Sequence, residues 1–101
     1  MNKAEHILKT LTELCGAMQV GQPEILYSVY SQKFYLRVPA EVKDGVCLKG
    51  VVCHEDTIEQ ACISFVRAIT GKLLVFNASD HERRKEVMLI DVQPLEGQNE
   101  G

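Results

Sequence analysis

The chain alternates between two hydrophobic periods. Ala4, Ile7, Leu8, Leu11, Leu14, Cys15 and Met18 recur at steps of three and four, which places them on one face of a helix predicted over residues 2–20. Lys3, Lys9, Thr10, Thr12 and Glu13 form its wet face. Asn2 is placed to cap the first turn, and Glu5, three residues on, completes a capping-box-like start. Gly21 and Pro23 end the helix.

The period then drops to two. Residues 24–38 are dense in Tyr, Val, Ile and Phe and read as a β-hairpin, with its turn at Ser31-Gln32. In the second strand Phe34, Leu36 and Val38 alternate with Lys33, Tyr35 and Arg37, giving one buried face and one solvated or contact-making face. Pro39 stops that strand. Asp44-Gly45 is a turn signal, and a third strand is predicted over residues 46–53.

The helical period returns with Ile58, Ala61, Cys62, Phe65 and Ile69 on one face and Val66 beside them, closed by Gly71. Asp56 is the expected cap of this second helix, with Glu59 completing the box. Residues 72–77 form a short apolar strand, the polar stretch ASDHERRKE a connection, and VMLIDV a last strand that pairs back as a hairpin. The order α-β-β-β-α-β-β predicts a single α+β domain over residues 1–93, a mainly antiparallel sheet with the helices on one face. Residues 94–101 form an acidic tail expected to be disordered.

Composition narrows the function. With 101 residues, 46% of them hydrophobic, the chain can bury one small core. Its net charge of −3 argues against direct nucleic-acid binding, which needs a basic surface. MNKAEHILKTLTELCG lacks the apolar core of a signal peptide, and no apolar run approaches a membrane span. The expectation is a soluble, cytoplasmic protein with four free thiols and no membrane association.

The segment Cys53-His54-Glu55-Asp56 invites a reading as a metal or catalytic cluster. Against metal, Cys47 and Cys53 on one extended strand would stand roughly 20 Å apart, and Cys15 and Cys62 sit on apolar helix faces. Against nucleophilic catalysis, adjacent side chains on an extended segment point to opposite sides, so His54 is no base for Cys53. No G-x-S-x-G and no P-loop occurs. No catalytic residue, metal or cofactor is therefore expected.

Two resemblances bear on the fold. The α-β-β-β-α order of residues 2–70 resembles the double-stranded RNA-binding domain. Members of that family start the second helix with lysines, where this chain has Glu55, Asp56 and Glu59, acids that would repel phosphate. Val38-Pro39, Gly50, Asp56, Thr57, Glu59 and Ala61 follow the pattern of the HicB-type antitoxin fold, a β-meander leading into a D-T-x-E-E-A helix start, so residues 25–76 resemble that family. The resemblance implies a non-catalytic domain that masks another protein. Where that family usually adds a DNA-binding segment, this chain has a hairpin and an acidic tail.

Two surfaces stand out as candidate partner- or ligand-binding sites. His81, Arg83, Arg84 and Lys85 lie together in the last hairpin connection, where adjacent arginines can grip carboxylates or phosphates. Glu82 and Glu86 make a plain solvated turn the competing reading. Tyr35 and Arg37, with Tyr27 or Tyr30, form the polar face of the first hairpin, and Tyr and Arg are enriched in binding hot spots. Whether those tyrosines face partner or core stays open at this level. The expected function is a small non-enzymatic binding protein that masks or inhibits a protein partner, antitoxin-like or an inhibitor from a phage or other mobile element acting on a host defence nuclease. Homodimerisation through the outer sheet face or an edge strand is a further expectation. The rival from another class is an oligomeric small-ligand binder, for instance of a nucleotide, using Arg83 and Arg84.

Overall fold

The computed structural model describes residues 3–89. They form two helices and six strands in one α+β unit: α1 (Lys3–Ala17), β1 (Glu24–Ser28), β2 (Lys33–Arg37), β3 (Glu41–Asp44), β4 (Cys47–Lys49), α2 (Ile58–Ile69), β5 (Leu73–Phe76) and β6 (Lys85–Met88). All strand pairing is antiparallel, in a two-stranded sheet β1-β2 and a four-stranded sheet of order β4-β3-β5-β6. The expected order holds, with one strand more. The proposed Asn2 cap and the tail 94–101 lie outside the described residues.

α1 buries Ala4, Ile7, Leu11 and Cys15, the predicted stripe. It ends in a Schellman motif: the Gln19 N–H donates to Gly16 O (3.1 Å) and the Val20 N–H to Cys15 O (3.1 Å). Gln19 takes the left-handed conformation that this motif needs (φ 58°), a place usually held by glycine. The helix thus stops before Gly21 without using it.

β1 and β2 pair in the register Leu26↔Tyr35, joined by a four-residue loop, 29–32, wider than the expected two-residue turn. The loop is tied by Gln32 N–H to Ser28 O (2.8 Å), and Gln32 also has a positive φ. After β2 the chain kinks. Pro39 has no N–H for a ladder, and Ala40 N–H closes back on Val38 O (2.7 Å) in a γ-turn. That kink carries the chain from the first sheet into the second.

The strand expected over residues 46–53 is shortened to β4, and an unexpected strand, β3, precedes it. Gly45-Val46 is the tip of a tight hairpin, one residue on from the Asp44-Gly45 signal, with Asp44 paired to Cys47 and Gly45 at φ 63°. Its first strand, Glu41–Asp44, has one buried apolar residue, Val42, and is defined by its neighbours β4 and β5. Residues 50–54 are irregular, so Val51 to Cys53 do not finish a strand.

α2 begins one residue later than expected. Thr57, not Asp56, is the N-cap, its side-chain oxygen accepting from the Gln60 N–H at 3.1 Å. The Asp56 carboxylate is engaged across the fold instead, accepting from Lys33 Nζ at 2.6 Å. α2 leaves through Thr70 (φ −62°, ψ 129°) and Gly71 (φ 80°), with Lys72 N–H on Ile69 O at 3.0 Å. These are the angles and bond of a type II turn, which needs glycine at its third residue.

One core joins the layers. Ile7, Leu11 and Cys15 of α1 and Cys62, Phe65, Val66 and Ile69 of α2 pack with Leu36, Val42, Leu74 and Phe76. The core thus joins both helices to Val42, Leu74 and Phe76 of the four-stranded sheet and to Leu36 of β2, against which α2 packs.

Candidate functional site

The β1-β2 hairpin reaches away from this core with an apolar tip. Val29 and Tyr30 occupy its loop, 71% and 98% exposed, and Tyr27 beside them is 52% exposed. The tip is held in shape. Tyr27 packs edge-on against Phe34 (centroids 5.1 Å apart), Ser31 N–H donates to Ser28 Oγ (3.3 Å), and Gln32 N–H closes the loop. Large apolar side chains held out in water by an ordered loop cost solvation and do nothing for the core.

Antiparallel pairing puts Glu24, Leu26, Ser28, Lys33, Tyr35 and Arg37 on the outer face of the hairpin. Arg37 and Glu24, directly opposite, form an ion pair. Tyr35 is half-buried because the His54 ring lies against it, centroids 5.0 Å apart. Lys33 is bound by Asp56, whose hydrogen bond and charge raise the ammonium above its ordinary pKa.

Cys53-His54-Glu55-Asp56 is a clasp. Glu55 and Phe34 exchange both main-chain hydrogen bonds (2.8 and 2.9 Å), and the Glu55 carboxylate accepts from Ser64 Oγ on α2 at 2.8 Å. With His54 on Tyr35 and Asp56 on Lys33, three consecutive side chains fasten the hairpin to the helix. Cys53 is half-buried, and burial followed by the Glu55 charge pushes its thiol up, the wrong direction for a nucleophile. Cys15 and Cys62 are buried, and Cys62 is pushed up to about 11 by burial, then by the Glu59 charge. All four cysteines are free, and no group of three or more Cys, His, Asp or Glu is placed to hold a metal among the described residues.

The cationic connection is a capped helical turn. Asp80 accepts from the Glu82 N–H through its carboxylate (3.1 Å) and from the Arg83 and Arg84 N–H groups through its carbonyl. Arg83 donates to Gln19 O (2.9 Å), and Arg84 binds Glu86 (3.0 Å). Asn77, in a left-handed conformation, donates to both Met18 O and Arg83 O. Arg83 and Arg84 thus have intramolecular partners, although all four predicted cations are exposed. No hydrogen bond or ion pair among the described residues joins this turn to Tyr35 or Arg37, so the six candidate residues make two separate places.

Val29 escaped the sequence reading, although an apolar Val-Tyr pair at a turn was a visible signal. A cleft also escaped it. The β3-β4 hairpin, residues 50–52 and the last turn of α2 enclose about 460 Å³, with Lys43, Lys49, Lys72 and Asp44 at its lining. Two segments distant in sequence, 42–52 and 68–72, build it, and no local motif marks it.

No helix among the described residues is long and apolar enough to cross a membrane. No family model matches the chain, and no curated protein or solved structure matches it either.

Proposed function

We propose that this protein is a small non-enzymatic binding protein that masks a partner protein, and that it does so with the tip of the β1-β2 hairpin. The observation that carries this reading is the preorganised apolar tip: Tyr30 and Val29 stand in solvent on a loop whose own hydrogen bonds and Tyr27-Phe34 packing fix its shape. Rigid aromatic side chains at low entropic cost are the usual anchors of protein interfaces. The partner this tip fits is a protein with an apolar pocket wide enough for two aromatic side chains. Lys33, Tyr35 and Arg37 would form the polar rim around the buried anchors. An antitoxin-like inhibitor has this build, and the mild acidity of the chain suits a basic target such as a nuclease.

The test is site-specific photo-crosslinking in the native cell from a photoreactive phenylalanine in place of Tyr30, with the same group in place of His81 as reference. One protein captured from position 30 and not from position 81 supports the reading. Tyr30→Ser should then weaken that complex by at least about thirtyfold. A complex untouched by Tyr30→Ser, or capture at position 81 alone, overturns it.

A further inference from the structure

We propose that the cleft between the β3-β4 hairpin and the end of α2 binds a small amphipathic anion, a carboxylate or phosphate monoester carrying a short apolar body. Its volume, about 460 Å³, falls in the range of small-molecule sites, roughly 300–1,000 Å³. Buried Val42, half-buried Val51 and Ala68, and exposed Val52 give the walls their apolar character.

The charges at the cleft are lopsided. In a chain of net charge −3, three lysines stand at this lining, and two of them, Lys49 and Lys72, act on its one acid, Asp44. Asp44 accepts from Lys49 Nζ at 3.0 Å, and that bond, the Lys49 charge and the more distant Lys72 charge hold its carboxyl below the ordinary range. It is therefore ionised and offsets one cation. Lys43 leans out to Glu86 at 3.8 Å. Lys72 makes no side-chain hydrogen bond or ion pair among the described residues, so the lining keeps an uncompensated ammonium beside an apolar wall.

An anionic head would take Lys72 and the remaining donors of Lys49, since each ammonium carries three. The apolar body would lie along Val51, Val52 and Ala68. Gly45 and Gly50 leave the approach open, with no atom within 4 Å of where a side chain would begin. The cleft is on the second sheet, away from the Tyr30 tip on the first, so this site and the proposed protein interface stand or fall separately.

The experiment titrates the isotope-labelled full chain with hexanoate, hexyl phosphate and hexylammonium, three ligands with one apolar body and different heads, read by amide chemical shifts. Expected are saturable shifts at Gly45, Gly50, Val52 and Ala68 with at least one anion and none with the cation. Which anion binds tighter assigns the head group. Lys72→Gln, an exposed change that keeps the turn's backbone bond to Ile69, should weaken binding at least about fivefold. No saturable shift with either anion up to about 20 mM, equal binding of hexylammonium, or an unchanged affinity in Lys72→Gln overturns the proposal.

Discussion

Arg83 reaches back across the fold to hydrogen-bond the main-chain carbonyl of Gln19, 64 residues earlier, at 2.9 Å. Gln19 follows the last turn of α1, so the guanidinium bound to its carbonyl stands near the negative end of that helix, where a cation is favoured. The guanidinium therefore acts as a strut between the β5-β6 connection and α1. Arg83→Ala is expected to lower unfolding stability by about 0.5–1.5 kcal/mol in urea titration. Capture of the partner by the Tyr30 tip should not change. Lost capture with stability intact would return Arg83 to the binding surface.

Gln19 itself stores strain. Its φ of 58° is required by the Schellman bonds to Gly16 and Cys15, and a side chain there works against the conformation. Gln19→Gly is expected to stabilise the protein by about 0.5–1 kcal/mol after the entropy of the more flexible unfolded chain is counted. The strut survives, since Arg83 uses the carbonyl and not the side chain. Thermal unfolding measures this directly, and a lower midpoint would mean that the Gln19 side chain makes a stabilising contact of its own.

Asp56 and Thr57 compete for one role, and the helix uses Thr57. Thr57→Ala is expected to cost about 1 kcal/mol, because the Gln60 N–H loses its acceptor. Asp56→Ala removes an exposed ion pair with Lys33 and should change stability much less. Paired urea titrations of the two variants decide the assignment. A larger loss in Asp56→Ala would make Asp56 the cap in solution.

The same pair shows where the sequence was legible. The buried stripe Ile7, Leu11 and Cys15, the alternation of Leu36 with Tyr35 and Arg37, and the turn glycines Gly45 and Gly71 each follow from a local period or a local backbone need. The cap of α2 does not. Cap propensity favours Asp over Thr, yet the Asp56 carboxylate is engaged by Lys33, 23 residues away, and Thr57 caps. β3 fails for a related reason: Glu41, Lys43 and Asp44 carry no strand signal, and its neighbours impose the conformation. Of the candidate site residues, Tyr35 and Arg37 are separated from Leu36 by period two, but the period leaves open whether Tyr35 faces partner or core; the pairing with Leu26 and the His54 ring against it decide that. The Arg84–Glu86 pair is local and agrees with the solvated-turn reading, whereas the Arg83 bond to Gln19 spans 64 residues and no spacing rule connects the two.

The buried thiols, Cys62 above all, are expected to make stability fall in alkali. Burial raises Cys15 and Cys53, and raises Cys62 from an ordinary 9.0 to about 11. Between those values the unfolded chain has released the Cys62 proton while the folded chain keeps it. The unfolded state then binds fewer protons, so stability falls as pH rises. The contribution of Cys62 is full below pH 9 and is lost on the way to pH 11. Lysines and tyrosines also titrate there, so the informative quantity is the difference from Cys62→Ala. That variant should start less stable, because it leaves a small cavity. Its stability should then decline with a slope shallower by up to about 1.4 kcal/mol per pH unit. Parallel slopes from pH 8 to 11 in denaturant titrations would show that Cys62 ionises in the folded protein as readily as in the unfolded one.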